Sequence, residues 1–118
     1  MQMLENIKEA KAIAKYVRVS PLKARRIADL VRGKSVDEAI VICRLNGNKP
    51  ARAMEKVLRS AAANAENNHN MDVDKLYVHQ VMANQGPSMK RMKALSHGRG
   101  VIILKRSSHL SVVLRERN

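Results

Sequence analysis

Apolar and polar positions change period several times along the chain, and each change marks an element. Residues 10–19 mix alanines with Tyr16-Val17-Arg18-Val19, and the apolar–polar alternation there predicts a strand. After Ser20-Pro21 the period lengthens to that of a helix. Ala24, Ile27, Ala28, Leu30 and Val31 share one face, while Arg25, Asp29 and Arg32 share the other, with Arg26 beside them. Ser20 suits the N-cap, Pro21 the first helical position, and Gly33 a left-handed stop. Ser35-Val36-Asp37-Glu38 has the capping-box form and opens a short helix to about Leu45. Asn46-Gly47-Asn48 reads as a turn, and Pro50 opens a third helix to about Asn67. Its inward stripe is Met54, Val57, Leu58, Ala61 and Ala65. Its wet face is Arg52, Glu55, Lys56, Arg59 and Glu66. The alanines leave a slim surface that another backbone can approach, and Asn67-Asn68-His69-Asn70 ends the helix because Asn tolerates the left-handed region.

The period then shortens to two. Leu76, Val78, Gln80 and Met82 alternate with Tyr77, His79 and Val81, and Leu110, Val112 and Leu114 fall on one side of a strand over residues 108–115. Between these strands lie residues 83–107, too long for a structureless loop inside a compact domain. They read as two β arms extending the flanking strands, with a tip near residues 94–100. At about 3.4 Å per residue, arms of about a dozen residues reach roughly 40 Å. The predicted fold is α+β: three helices on one face of a three-stranded antiparallel sheet, with a protruding β-hairpin arm. The chain reads as one domain, with a leader over residues 1–9, a body over 10–82 and 108–118, and an arm over 83–107.

Charge changes the picture most. The 118 residues hold 23 Lys and Arg against 10 Asp and Glu, a net charge of +13. From Met82 to Arg115 there is no acid at all, yet Lys90, Arg91, Lys93, Arg99, Lys105, Arg106 and Arg115 all lie there. A stretch that repels itself this way calls for a polyanion beside it, and the abundant polyanions are nucleic acids. The arm candidates for RNA contact are therefore Lys90, Arg91, Lys93 and Arg99 at the tip, with Ser88, Met89, His97, Lys105 and Arg106 along the arm. A second set, on and around the first helix, is Arg18, Lys23, Arg25, Arg26, Arg32 and Lys34. Asp29 lies at helical spacing from Arg25 and Arg32, so part of that charge is open to internal pairing.

Other classes fit less well. Only Tyr16 and Tyr77 are aromatic, too few for a base-stacking platform, so recognition runs through phosphates, sugars and shape. No apolar run approaches a membrane span, and the acidic start is not a signal peptide, which points to a soluble cytoplasmic protein. Cys43 sits in an apolar run and reads as a buried small hydrophobe. His69, His79, His97 and His109 lack metal-ligand spacing, although His79 and His109 are placed to face each other across the sheet. No phosphate-binding glycine loop or nucleophile motif occurs, so neither an enzyme nor a cofactor is expected.

Several strings now coincide: Val17-Arg18-Val19-Ser20-Pro21-Leu22-Lys23-Ala24-Arg25, Asp29-Leu30-Val31-Arg32-Gly33-Lys34-Ser35-Val36, Ser60-Ala61-Ala62-Ala63-Asn64-Ala65-Glu66-Asn67-Asn68, Gly86-Pro87-Ser88-Met89-Lys90-Arg91, and Gly98-Arg99 with Lys105-Arg106-Ser107-Ser108-His109. In this order and spacing they closely resemble the bacterial large-subunit ribosomal protein twenty-two family, over nearly the whole chain. The resemblance implies a structural protein of the large ribosomal subunit in the cytoplasm, with no catalytic activity. It implies a body on the outer surface of the subunit near the peptide exit and an arm threaded between rRNA segments. It further implies a tip that lines the nascent-peptide tunnel, a part in subunit assembly, and large-subunit rRNA, neighbouring ribosomal proteins and the nascent peptide as partners. In the family the tip is also associated with macrolide sensitivity, which bears on Ser88, Met89, Lys90 and Arg91. Residues 92–97 and 100–103 depart from the family pattern. The alternative from another class is an architectural DNA-binding protein with a basic β arm. Such proteins wedge an apolar residue into the minor groove from the arm tip, whereas Pro87 here is near the arm's base.

Overall fold

The computed structural model of the chain describes residues 8–86, 89–94 and 100–117; for residues 89–94 and 100–105 the backbone is described. The expected leader over its first seven residues, the arm tip between positions 94 and 100, and the candidates Ser88, His97 and Arg99 lie outside the described residues. The elements follow in the order β1 (Glu9–Val17), α1 (Pro21–Val31), α2 (Val36–Asn46), α3 (Lys49–His69), β2 (Leu76–Gln85), β3 (Met89–Ala94), β4 (Gly100–Lys105) and β5 (Ser108–Glu116). A 3₁₀ turn over Val73–Lys75 leads into β2.

β1, β5 and β2 form a three-stranded antiparallel sheet in that order, so the last strand inserts between the first two. The helices cover one face: α1 lies along β2, α3 crosses β1 and β5, and α2 packs on α3 and α1. This is the α+β arrangement expected from the sequence. The core it closes joins Ala24, Ile27, Ala28 and Val31 of α1, Met54, Val57, Leu58, Ala61 and Ala65 of α3, and Leu110, Val112 and Leu114 of β5. Burying one such Leu or Val stabilises the fold by about 1.5–3 kcal/mol relative to leaving it exposed. α3 packs on β1, with Ala61 and Ala65 of the helix and Ala10 and Ala12 of the strand all buried. The approach is close enough for Asn64 Nδ2 to donate to the Lys11 carbonyl at 2.9 Å.

Local chemistry sets the helix ends. Ser35 Oγ accepts from the Glu38 N–H at 3.3 Å, and Asn48 Oδ1 accepts from the Ala51 N–H at 3.0 Å. Gly47 and Asn70 stop α2 and α3 in the left-handed region. Ser20 departs from expectation, since its side chain makes no capping bond and α1 starts on Pro21 alone. Gly33, at φ +82°, turns the chain so that its N–H donates to the Val78 carbonyl while the Lys34 carbonyl accepts from the Val78 N–H.

Two faces differ from the simple periodic reading. Leu30 is 48 % exposed, because it falls off the buried 24–27–28–31 row of α1. In β2 the inward set is Leu76 and Val78, then Val81 and Ala83. A register shift between Val78 and Gln80 moves the phase by one residue, so Gln80 and Met82 turn outward. The two histidines do not face each other, because the strand register sets them well apart: His109 lies opposite Asn84, and His79 meets Tyr77 edge-on instead.

Candidate nucleic-acid interface

The three-stranded sheet gives way to a separate two-stranded sheet, β3 with β4. Gly86 sits at the change, its N–H donating to the Ser107 carbonyl at 2.9 Å. Between Gln85 and Met89 the outgoing strand carries one residue more than the returning strand does between Lys105 and Ser108, so the ladder restarts displaced by one. Gly is needed there: a Cβ on Gly86 would lie 2.6 Å from Ser107 Oγ and 3.3 Å from His109 Cε1.

Around this junction the polar groups are spoken for. Ser108, fully buried, donates its hydroxyl to the Val19 carbonyl at 2.8 Å. His109 Nδ1 accepts from the Tyr16 N–H at 3.1 Å, which puts the ring proton on Nε2. Tyr16 reaches that position with φ +58°, unusual for a residue with a side chain, at the irregularity where β1 leaves regular pairing with β5. Its ring meets His109 edge-on with centroids 5.0 Å apart. The arm is thus rooted in β2 and β5 and braced by the end of β1.

In the ribbon, Met89 pairs with Lys105, Arg91 with Ile103 and Lys93 with Val101, while Lys90 pairs with Leu104 and Met92 with Ile102. The two-residue period puts Arg91, Lys93 and Lys105 on one face and Lys90 on the other. Arg106, where the ribbon returns to the body, is exposed.

On the body, Arg18, Lys23, Arg25, Arg26, Arg32 and Lys34 are all exposed. They are not equivalent. Arg25 Nε donates to the Ala83 carbonyl at 3.0 Å, and Arg32 donates to the Val81 carbonyl and to Asp29, both at 2.8 Å. β2 is an edge strand, and these guanidinium groups cover carbonyls that the sheet leaves open. Arg18, Lys23, Arg26 and Lys34 have no salt bridge among the described residues. The helical pattern alone places Arg25 and Arg32 on a wet face; it carries no sign of the β2 carbonyls beside them, whose position depends on the bulge.

Sequence reasoning passed over Arg117, which donates to the Gly33 carbonyl at 2.8 Å and lies 4.7 Å from the Tyr77 ring centroid. It also passed over the pair of Glu9 and Arg115, opposite each other in the β1–β5 register. Hydrogen bonding to Arg115 holds the Glu9 carboxyl below the usual carboxylate value. Burial pushes the Cys43 thiol up to about 11, so it stays protonated and inert near neutrality. Among the described residues, no three His, Cys, Asp or Glu side chains gather to hold a metal ion. No described helix is long and apolar enough to cross a membrane.

The candidate interface is therefore a set of cations at positions along a ribbon and on and around α1, and phosphate is the group that such cations fit best. Comparison with known proteins gives a matching frame. The model of the family described as ribosomal protein L22p/L17e matches residues 12–115. The chain is similar to the large ribosomal subunit protein uL22 of Clostridioides difficile (strain 630), at 56 % identity over 92 % of this chain and 98 % of that protein. It is similar to the protein of the same name from Desulforamulus reducens, at 54 % identity over 92 % and 96 %. The uL22 of Thermotoga sp. (strain RQ2) is 54 % identical over 93 % of this chain and 69 % of its own length.

Proposed function

Because the chain belongs to the ribosomal protein L22p/L17e family, we propose that it is a structural constituent of the large ribosomal subunit that holds large-subunit rRNA through its arm and body. The observation that carries this reading is the acid-free stretch from Met82 to Arg115. Much of it lies in a ribbon, with Arg91, Lys93 and Lys105 at register positions of one face. Cations of one sign on a two-stranded ribbon, in a stretch without an acid, suit a partner that brings its own negative charge from both sides, as packed rRNA segments do. Arg supplies paired donors to a phosphate and Lys a mobile point charge.

The body's share comes from Arg18, Lys23, Arg26 and Lys34, with Arg25 and Arg32 contributing the donors not turned to β2. The arm tip lies along the nascent-peptide tunnel, and the chain supports subunit assembly by joining rRNA segments that are distant in sequence. Its place is the cytoplasm, within the subunit, beside neighbouring ribosomal proteins, and the family's role is structural rather than catalytic.

Competition binding at one fixed salt concentration tests the reading. Large-subunit rRNA fragments should displace labelled rRNA from the chain at concentrations at least about tenfold lower than duplex DNA of equal length, because packed RNA shape and 2′-hydroxyls add to the shared phosphate attraction. Equal competition by the duplex would contradict it and favour a general polyanion binder.

A further inference from the structure

A concavity on the body lies beside the end of β1 that braces the arm. It is about 700 Å³ and runs between β1 and the first half of α3. Its floor is aliphatic: Ala12, Ala14, Val17, Val19, Ala53 and Val57. One wall carries Lys49, Arg52 and Lys56, a single row on α3, and none of the three has a salt-bridge partner among the described residues. The other wall is the outer edge of β1. Asn64 caps the Lys11 carbonyl on that edge, and the same outward row continues two residues on, at Ile13, a residue 62 % exposed.

We propose that this groove takes an extended peptide segment of a neighbouring large-subunit protein, with acidic and aliphatic residues in alternation. The proposal rests on the large-subunit reading above. Beyond the Lys11 carbonyl, which Asn64 occupies, and before the irregularity between Ala14 and Val17, the outward edge at Ile13 offers a short stretch of main-chain donor and acceptor to an extended segment. The aliphatic floor buries alternate apolar side chains of such a strand. It gives a nucleic-acid backbone nothing to hold, and none of its lining residues is aromatic to stack a base. The cation row sets the charge. From Lys49 to Lys56 it spans about 10.5 Å at about 1.5 Å per helical residue. Two carboxylates at alternate positions of an extended chain are about 6.8 Å apart, so both fall within reach of the row.

The test places a benzophenone amino acid at Ser60 in one variant and at Ile13 in another, both lining the groove. Each is irradiated in large subunits purified from cells expressing the tagged chain. Both positions should crosslink to one and the same segment of a single neighbouring protein, containing at least two Asp or Glu residues alternating with aliphatic ones. Adding Arg52→Glu with Lys56→Glu should lower that yield about three- to tenfold, and Arg52→Gln with Lys56→Gln by less, in the same order. Crosslinks to rRNA, crosslinks within the chain itself, no crosslink, or a yield indifferent to both charge variants would each overturn the proposal. Sedimentation scores incorporation separately. A chain absent from large subunits would contradict the large-subunit reading, and the groove's assignment with it. A chain incorporated but crosslinked to rRNA would sink the groove's assignment alone.

Discussion

Glu9 and Arg115 join the first strand of the sheet to its central strand, and each side chain is only about a quarter exposed, at 28 % and 26 %. The pair makes acid stability depend on one carboxyl. Since the folded state holds Glu9 below the usual Glu value of about 4.3, its contribution is complete above that value. It is lost as pH falls through the lower folded value. Glu9→Gln should therefore cost about 0.5–1 kcal/mol at pH 7, and the gap to the parent should close in denaturant melts below about pH 4. A gap that persists at low pH would place its cause elsewhere than the ion pair. Gly86 makes the second residue-scale prediction. A methyl group there collides with Ser107 Oγ, and Ser107 is itself buried. Gly86→Ala should cost about 1–3 kcal/mol as an overpacked site. It should also move the amide resonances of Tyr16 and His109, which share the junction. Unmoved resonances would show that the junction absorbs the methyl without strain.

At the scale of elements, the periods of the sequence carry the three helices and the positions of the three sheet strands along the chain. The stripes of α3 and β5 and the capping of α2 are all recovered from spacing and cap chemistry. What spacing does not carry is tertiary. The bulge after Val78 exchanges Met82 for Val81 in the core, since one inserted residue reverses every later position of a strand. Leu30 is placed by the arc that β2 covers, which the helix alone does not define. The candidate site is legible as charge: a stretch without acids needs no structure to be seen. Its division of labour is not, because Arg25 and Arg32 look like Arg26 until β2 is beside them. That division predicts a split in behaviour. Arg32→Met keeps the aliphatic stem but leaves the Val81 carbonyl and Asp29 without their partner. It should cost about 1 kcal/mol of stability, at the low end for charged hydrogen bonds because the group is half exposed. Arg26→Met should leave stability within about 0.5 kcal/mol, as surface changes do. Equal costs in denaturant melts would contradict the edge-covering role of Arg32.

The whole molecule is elongated. Its radius of gyration is 17.6 Å and its extents are 66 × 31 × 23 Å, whereas a compact chain of this length has a radius near 13.5 Å by the usual scaling, roughly 2.2 times length to the power 0.38. β3 and β4 pack chiefly on each other, and a two-stranded ribbon alone is marginal in water. The apolar stripes that hold the body together come from α1, α3, β2 and β5. In the proposed function the arm's cations meet rRNA phosphates. Replacing residues 88–100 by a short Gly/Asn turn removes Lys90, Arg91, Lys93 and Arg99 while sparing the body. The most direct measurement is the slope of log affinity against log salt, for the full and the shortened chain, on an rRNA target that spans both body and arm sites. If each of those cations neutralises one phosphate, the shortened chain's slope should be shallower by roughly three units, at about 0.7–0.9 per contact. The same slope from both chains, with the shortened body still folded, would mean that the arm's charges are merely solvated and that it does not thread RNA.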